Sequence, residues 1–332
     1  MVFSTTADGT NGSRRCKHLT RRHWLRTAAS ACTAIVATSD AGSPAAQPLD
    51  RRVTNAASDG PNWMVASCMY GTMPLSVIAA EMRKLGCSTL DLWPRVHGDQ
   101  REQAVRMGAD AFRLWCEDQN IRIGCLSAYR LGIENLRGEI LAAAKWLCPT
   151  VVVHGGGKPQ ASFDSTRRAI DAMVGRADPT LRMAADHGVT VMIENHGSSM
   201  VDTVEATLHL ADAITDTPAK VALAPAHLPQ DADALADLVR RLRDRLGMFY
   251  AWQYGNGFRE KMPVDKERAQ LPGQGPLDFG PIVSALAEIN FRGFTEVMMH
   301  PTPRGIPIAE TAGAVTQCIH RSHQYLESHW TS

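Results

Sequence analysis

The succession Thr150-Val151-Val152-Val153-His154, then Phe163–His187, then Thr190-Val191-Met192-Ile193-Glu194 decides the fold. Two short, unbroken, largely β-branched runs flank a long stretch whose apolar residues fall three and four apart, the spacing of one helix face. An unbroken apolar run suits a strand buried on both sides. Strand, helix, strand then implies parallel pairing through a right-handed crossover.

The same alternation extends in both directions. Strand-like runs occupy Trp63–Met69, Ser88–Trp93 and Ile121–Leu126 before it, and Lys220–Ala224, Met248–Gln253 and Gly293–Met298 after it. Helical spacing covers Leu75–Leu85, Glu134–Leu147, Val201–Ile214, Ala232–Leu246, Asp278–Ile289 and Ile308–Glu327. Eight strand–helix units in roughly 270–285 residues predict an α/β fold, a closed (β/α)8 TIM barrel. An open doubly wound sheet is the competing arrangement. It favours a Gly-rich dinucleotide turn after the first strand, and Cys68-Met69-Tyr70-Gly71-Thr72-Met73 has no G-x-G-x-x-G.

Residues 1–46 read differently from the rest. They hold Arg14, Arg15, Lys17, Arg21, Arg22 and Arg26 against only Asp8 and Asp40. Thr20-Arg21-Arg22-His23-Trp24-Leu25-Arg26, followed by small and modestly apolar residues, resembles a twin-arginine export signal. The expected organisation is a signal and linker over 1–46, cleaved near Ala46, and a barrel domain over 47–332. The chain is then exported to the periplasm; a plain basic tail on a cytoplasmic protein is the alternative.

Composition narrows the function. Of 332 residues, 44% are hydrophobic and 21% charged, ordinary for a globular protein. Lys and Arg total 35 against 34 Asp and Glu, and removing 1–46 leaves a slight acidic excess. That balance carries no nucleic-acid footprint. No apolar run is long enough for a conventional membrane span. Eight cysteines without a Cys-x-x-Cys pair, several within apolar stretches, predict buried free thiols.

Ligand chemistry in such a barrel sits at the carboxyl ends of the strands. His97, His154, His196, His227 and His300 all fall at or just past strand ends. Glu194 and Glu296 are embedded in apolar strands, where a carboxylate needs a cation or hydrogen-bond donors. Two carboxylates arriving with several imidazoles suggest a divalent metal with oxygen and nitrogen ligands. A strand-end histidine taken singly is more often a hydrogen-bonded structural group. Trp93 and Trp252 suit stacking on a sugar face or core packing. Lys158 and Arg304 are the cations expected near the strand ends, and so short a supply points to a neutral substrate.

The motifs carry a resemblance. Leu90-Asp91-Leu92-Trp93, Val153-His154-Gly155-Gly156, Ile193-Glu194-Asn195-His196, Leu271-Pro272-Gly273-Gln274-Gly275-Pro276-Leu277-Asp278-Phe279 and Phe294-Thr295-Glu296 resemble the xylose isomerase-like TIM barrels, the sugar-phosphate isomerase and epimerase group. The resemblance implies Mn, Mg, Zn or Co held by Glu, Asp, His and Glu from the last four strands. Glu194 and Glu296 match the outer pair. Ala224 stands at the Asp, with His227 as the histidine that trails it, and Trp252 or Gln253 stands at the His. The ligand set expected is Glu194, His227, Gln253 and Glu296.

The activity so implied is isomerisation or epimerisation of a sugar, by metal-assisted proton transfer at the carbon next to a carbonyl. Glu194 and Glu296 exchange the proton; His97, His154, His196, His227, Trp252, Gln253, His300 and Arg304 contact the substrate. The competing readings are a non-catalytic carbohydrate-binding barrel with a degenerate metal site, and a metal-assisted hydrolase or lyase of the same superfamily. The resemblance also implies a homo-oligomer, for which no interface is readable.

Overall fold

A computed structural model describes residues 60–255 and 258–330. Eight parallel strands, β1 (Asn62–Ala66), β2 (Thr89–Leu92), β3 (Arg122–Ser127), β4 (Thr150–His154), β5 (Thr190–Glu194), β6 (Lys220–Leu223), β7 (Leu246–Ala251) and β8 (Phe294–Val297), close into a barrel in chain order. Closure is between β1 and β8, which align Asn62 with Phe294 through Val65 with Val297. The expected α/β barrel is therefore the fold, and the strand positions agree with the apolar runs to within a few residues. The signal and linker expected over 1–46, and the boundary that follows, lie outside the described residues.

Around the cylinder lie α1 (Leu75–Lys84), α2 (Gln100–Met107), α3 (Ala109–Asp118), α4 (Arg137–Lys145), α5 (Phe163–Asp186), α6 (Val204–Ala213), α7 (Ala232–Leu242), α8 (Val264–Glu267), α9 (Gly280–Glu288) and α10 (Ala312–Glu327). Periodicity predicts no helix between β2 and β3, yet α2 and α3 fill that crossover. α2 buries only Gln100 and Ala104, so it leaves almost no apolar stripe to read, and Gly108 at φ +85° breaks the pair. By contrast α7 turns Leu235, Leu238, Val239 and Leu242 inward, a stripe evident in sequence. Long α5 starts at a capping box in which Ser162 and Ser165 satisfy each other's backbone N–H groups.

All six described cysteines are buried and unbridged, as expected. Among the described residues no helix is long and apolar enough to cross a membrane. Two register shifts interrupt the barrel ladder: opposite Leu90 and Asp91 of β2 the extra residue is Gly124 of β3, and opposite Val221 and Ala222 of β6 it is Gly247 of β7. Such irregularities re-aim side chains, and the first falls at a carboxylate of the candidate site.

Candidate functional site

A cavity of about 620 Å³ opens at the carboxyl ends of the strands. Its wall is a belt of aromatic rings in contact. His154, the last residue of β4, lies 5.7 Å, centroid to centroid, from His196, which lies 4.2 Å from His227. Trp252 follows at 4.9 Å, His300 at 5.1 Å and His97 at 4.6 Å. Trp93 meets His97 at 5.1 Å and stacks on Tyr129 at 5.0 Å. Seven strand ends, those of β2 to β8, thus bring together residues more than two hundred positions apart.

Backbone hydrogen bonds orient part of the belt. Gly156 N–H donates to His154 Nδ1 at 2.9 Å, and Ser198 N–H to His196 Nδ1 at 3.3 Å. Each Nδ1 therefore accepts, and each Nε2 is left to carry the proton. The glycines after His154 make a turn rather than a ligand cradle. A Cβ on Gly155 would meet Val201 Cγ2 at 2.5 Å, so that position packs against the chain after β5. Burial keeps the imidazoles neutral. It lowers His97 and His196 to about 4, helped by Arg304 and His154 respectively, and His227 to about 3; His300 is pushed well down and His154 more modestly.

Three carboxyls lie at or beneath the floor. Glu194 lines the cavity; its Oε1 stands 3.6 Å from His227 Nε2, and its Oε2 has no hydrogen-bond partner among the described residues. Burial pushes Glu194 up to about 8, the Asp91 charge adds to this, and the Tyr129 hydroxyl opposes it. Glu296 is fully buried, with both oxygens unpartnered among the described residues, and it does not line the cavity. Desolvation, then Asp91 and Glu194, raise its carboxyl far above the ordinary range. Asp91, also fully buried, accepts from Ser127 Oγ at 2.9 and 3.1 Å, and burial carries it up to about 7.

Gln253 corrects an expectation. Its Nε2 donates to Leu271 O at 2.8 Å and its Oε1 accepts from Leu277 N–H at 2.8 Å, so neither end is available to a metal or substrate, and it does not line the cavity. The motif Leu271–Phe279 is thereby clamped to the end of β7. Gly275 belongs to the same clamp, since a Cβ there would collide with Ala269 O and Gln253. Replacing Gln253 by Ala strands two buried backbone groups and is expected to cost about 2–4 kcal/mol, read as a lower urea midpoint. A ligand role alone would leave stability nearly unchanged.

Gln270, which directly precedes this loop and is not singled out from sequence, ties Trp252 after β7 to His300 after β8. Its Oε1 accepts from Trp252 Nε1 and His300 N–H, while its Nε2 donates to His300 O. Tyr129 and Tyr250 were missed as well. Their hydroxyls bond at 2.7 Å beside the cavity floor, and both residues line it. Neither tyrosine sits in a polar strand-end motif, so only the closed barrel brings them together. Lys158, a strand-end cation in sequence, is exposed and away from the cavity. Arg130 and Arg259, not considered from sequence, line the mouth with Arg304.

The expected metal site fails on its donor set. Ala224 offers no side-chain ligand, and its backbone N–H and C=O are bonded to the Asn195 amide. Trp252 and Gln253 are committed as described, and Glu296 is sealed below. Among the described residues no three His, Cys, Asp or Glu side chains form a group able to hold a metal ion. The residues present do not fit the four-ligand metal centre. Purified protein is expected to hold well under one equivalent of Mn, Mg, Zn or Co by elemental analysis, and its activity to survive EDTA. A stoichiometric metal lost together with activity would reverse this.

Residues 79–316 match the family model described as the xylose isomerase-like TIM barrel. Among solved structures, the chain is similar to the IolI protein with a bound zinc atom, at 16% identity and TM-score 0.63 over 81% of this chain and 99% of that one. It is similar to the probable 3-DHS dehydratase AsbF of Bacillus anthracis at 16% identity and TM-score 0.60, covering 78% and 97%. The D-psicose 3-epimerase of Clostridium cellulolyticum H10, solved with D-tagatose, gives 12% identity and TM-score 0.60, covering 81% and 99%. Among curated proteins none matches at a significant level. At these identities the structural likeness establishes the fold.

Proposed function

We propose that this chain, which belongs to the xylose isomerase-like TIM barrel family, is a sugar isomerase that moves a proton between adjacent carbons with one carboxyl base. The observation that carries this reading is that Glu194 is the sole carboxylic acid among the described residues lining the cavity. Exchange of a proton between two carboxylates, as the sequence suggests, needs a second one exposed to substrate, and Glu296 is sealed beneath the floor.

Glu194, as carboxylate, removes the proton from the carbon bearing a hydroxyl next to the carbonyl. The electron pair flows to the carbonyl oxygen, giving an enediolate. The belt supplies donors for that charge: the Nε2–H groups of His154 and His196, with the Tyr129–Tyr250 hydroxyl pair beside Glu194. Neutral imidazoles suit this role, since they donate a hydrogen bond without giving up their proton at working pH. Glu194 then returns the proton to the neighbouring carbon, and a hydroxyl proton shifts between the two oxygens to complete the exchange.

A second reading has its own support. A carboxyl raised to about 8 holds its proton at neutral pH and can deliver it to a departing hydroxyl, as a dehydratase requires. The two are separated by incubating the protein with aldoses and ketoses in deuterated water. Isomerisation gives deuterium incorporation and ketose–aldose conversion; dehydration gives an unsaturated product absorbing in the ultraviolet. No exchange into any sugar, with binding retained, would instead support a carbohydrate-binding barrel. The stretch Thr20–Arg26, which resembles a twin-arginine export signal, supports a place for the enzyme outside the cytoplasm.

A further inference from the structure

We infer that the substrate is an anionic polyol, its charge a carboxylate or a phosphate held at the cavity mouth by Arg130 and Arg304, with Arg259 as a third cation on the wall; this deepens the proton-transfer reading and rests on it. The three guanidinium groups come from three loops, those after β3, β7 and β8, and all line the one cavity. No aspartate lines that cavity among the described residues, and its one glutamate is the floor residue Glu194.

The arginines are not held by structural partners in the way surface arginines elsewhere in the chain are. Arg240 bonds Glu288 and Arg182 bonds Asp178. Arg130, exposed, takes part in no hydrogen bond or ion pair with a described residue. Arg259 reaches back over the Phe258 ring, 5.3 Å from its centroid, and its Nη2 lies 3.9 Å from where a Cβ on Gly197 would stand. Arg304 is half-buried and donates from Nη1 to Pro301 O at 3.0 Å. Glu267, the carboxylate that acts on Arg304, already accepts from Lys261 Nζ at 3.2 Å.

Several positive charges facing one low-dielectric space raise its potential and draw in an anion. Arg130 and Arg304 both oppose protonation of His97, which places them on that side of the mouth; Arg259 does the same to His196 and His227. The floor below bears carboxyl groups whose charged forms burial disfavours, which suits it to hydroxyls rather than to a cation. A substrate with its charge at the rim and its carbonyl toward Glu194 satisfies both ends. The expectation of a neutral substrate rested on Lys158 and Arg304 alone; Lys158 is absent from the cavity, and Arg130 and Arg259 enter it from loops whose place at the rim only the closed barrel reveals.

The test is calorimetric titration of the full chain with D-glucuronate and D-glucose 6-phosphate as the anionic probes, and D-glucose and D-fructose as the neutral ones. An anion is expected to bind at least about tenfold tighter than either neutral sugar. Its advantage should shrink as NaCl rises from about 50 to about 500 mM. The preferred arm, uronate or phosphate, identifies the anionic group. Arg130→Gln and Arg304→Gln should each weaken the anion about tenfold and leave the neutral sugars unchanged. Arg130 bears no structural bond, so its variant remains informative if Arg304→Gln folds poorly. Equal binding of neutral and anionic probes, no binding of either anion, or a preference surviving in the Arg130→Gln/Arg304→Gln double variant overturns the inference. Anion binding lost on Arg130→Gln but without deuterium exchange into the sugar supports it, and overturns instead the proton-transfer reading.

Discussion

Replacing Glu194 by Gln is expected to lower kcat about a thousandfold with little change in KM, because the amide keeps the shape and hydrogen-bonding capacity of the side chain but cannot take a proton. Wild-type kcat/KM should rise with pH toward a plateau above about 8, the value to which burial and Asp91 lift this carboxyl in the free protein. That limb should be absent from the residual activity of Glu194→Gln. Glu296→Gln should retain most of the rate, since it touches no part of the cavity. Equal losses in both variants would restore the two-carboxylate exchange and remove the one-base reading. The pH profile separates chemistry from folding, because a merely unstable variant would lose amplitude and keep the limb.

The second large effect concerns stability. Asp91, Glu194 and Glu296 all bind protons more tightly folded than unfolded, because burial penalises their charged forms. The folded state then carries more protons between the two sets of values, so stability is full below about pH 4 and falls as pH rises through about 7–8. The histidines act oppositely. His97, His196 and His227 bind protons less tightly folded, so stability is lost as pH falls from about 6.5 toward 4 and 3. Thermal unfolding should be most resistant between about pH 5 and 6.5. At pH 8, Glu296→Gln should be more stable than the wild type by about 2 kcal/mol, roughly 4 °C in Tm. The gain should vanish at pH 4. A loss of stability at pH 8 would mean that Glu296 has a buried donor or cation beside it.

These two experiments bear on one physical question, how a site with unpartnered buried carboxyl oxygens stays folded. Proton uptake is the available answer where a metal lacks its ligands. Ala224 is decisive there. A single methyl stands where the resemblance places a carboxylate, and the Asn195 amide holds both the N–H and the C=O of that residue. His227 remains, but its imidazole faces Glu194 at a distance too long for a hydrogen bond.

The strands were legible because each buries both faces, and burial on both faces demands an unbroken apolar run wherever it occurs. Glu194 and the five strand-end histidines were legible for the converse reason, since polar groups at the end of such a run have few places to go except a rim. What the chain alone did not specify was depth and partnership. Glu194 and Glu296 look equivalent in sequence, each a carboxylate in an apolar strand; the stagger of the closed barrel puts one at the cavity and the other beneath it. Gln253 looks like a ligand until the loop Leu271–Phe279 folds back and takes both ends of its amide. Tyr129, Tyr250, Arg130 and Arg259 carry no local signal, because their neighbours at the rim come from other strands. Local burial is a property of a segment and can be read from it, whereas which side chains share a pocket depends on closure and register over the whole cylinder.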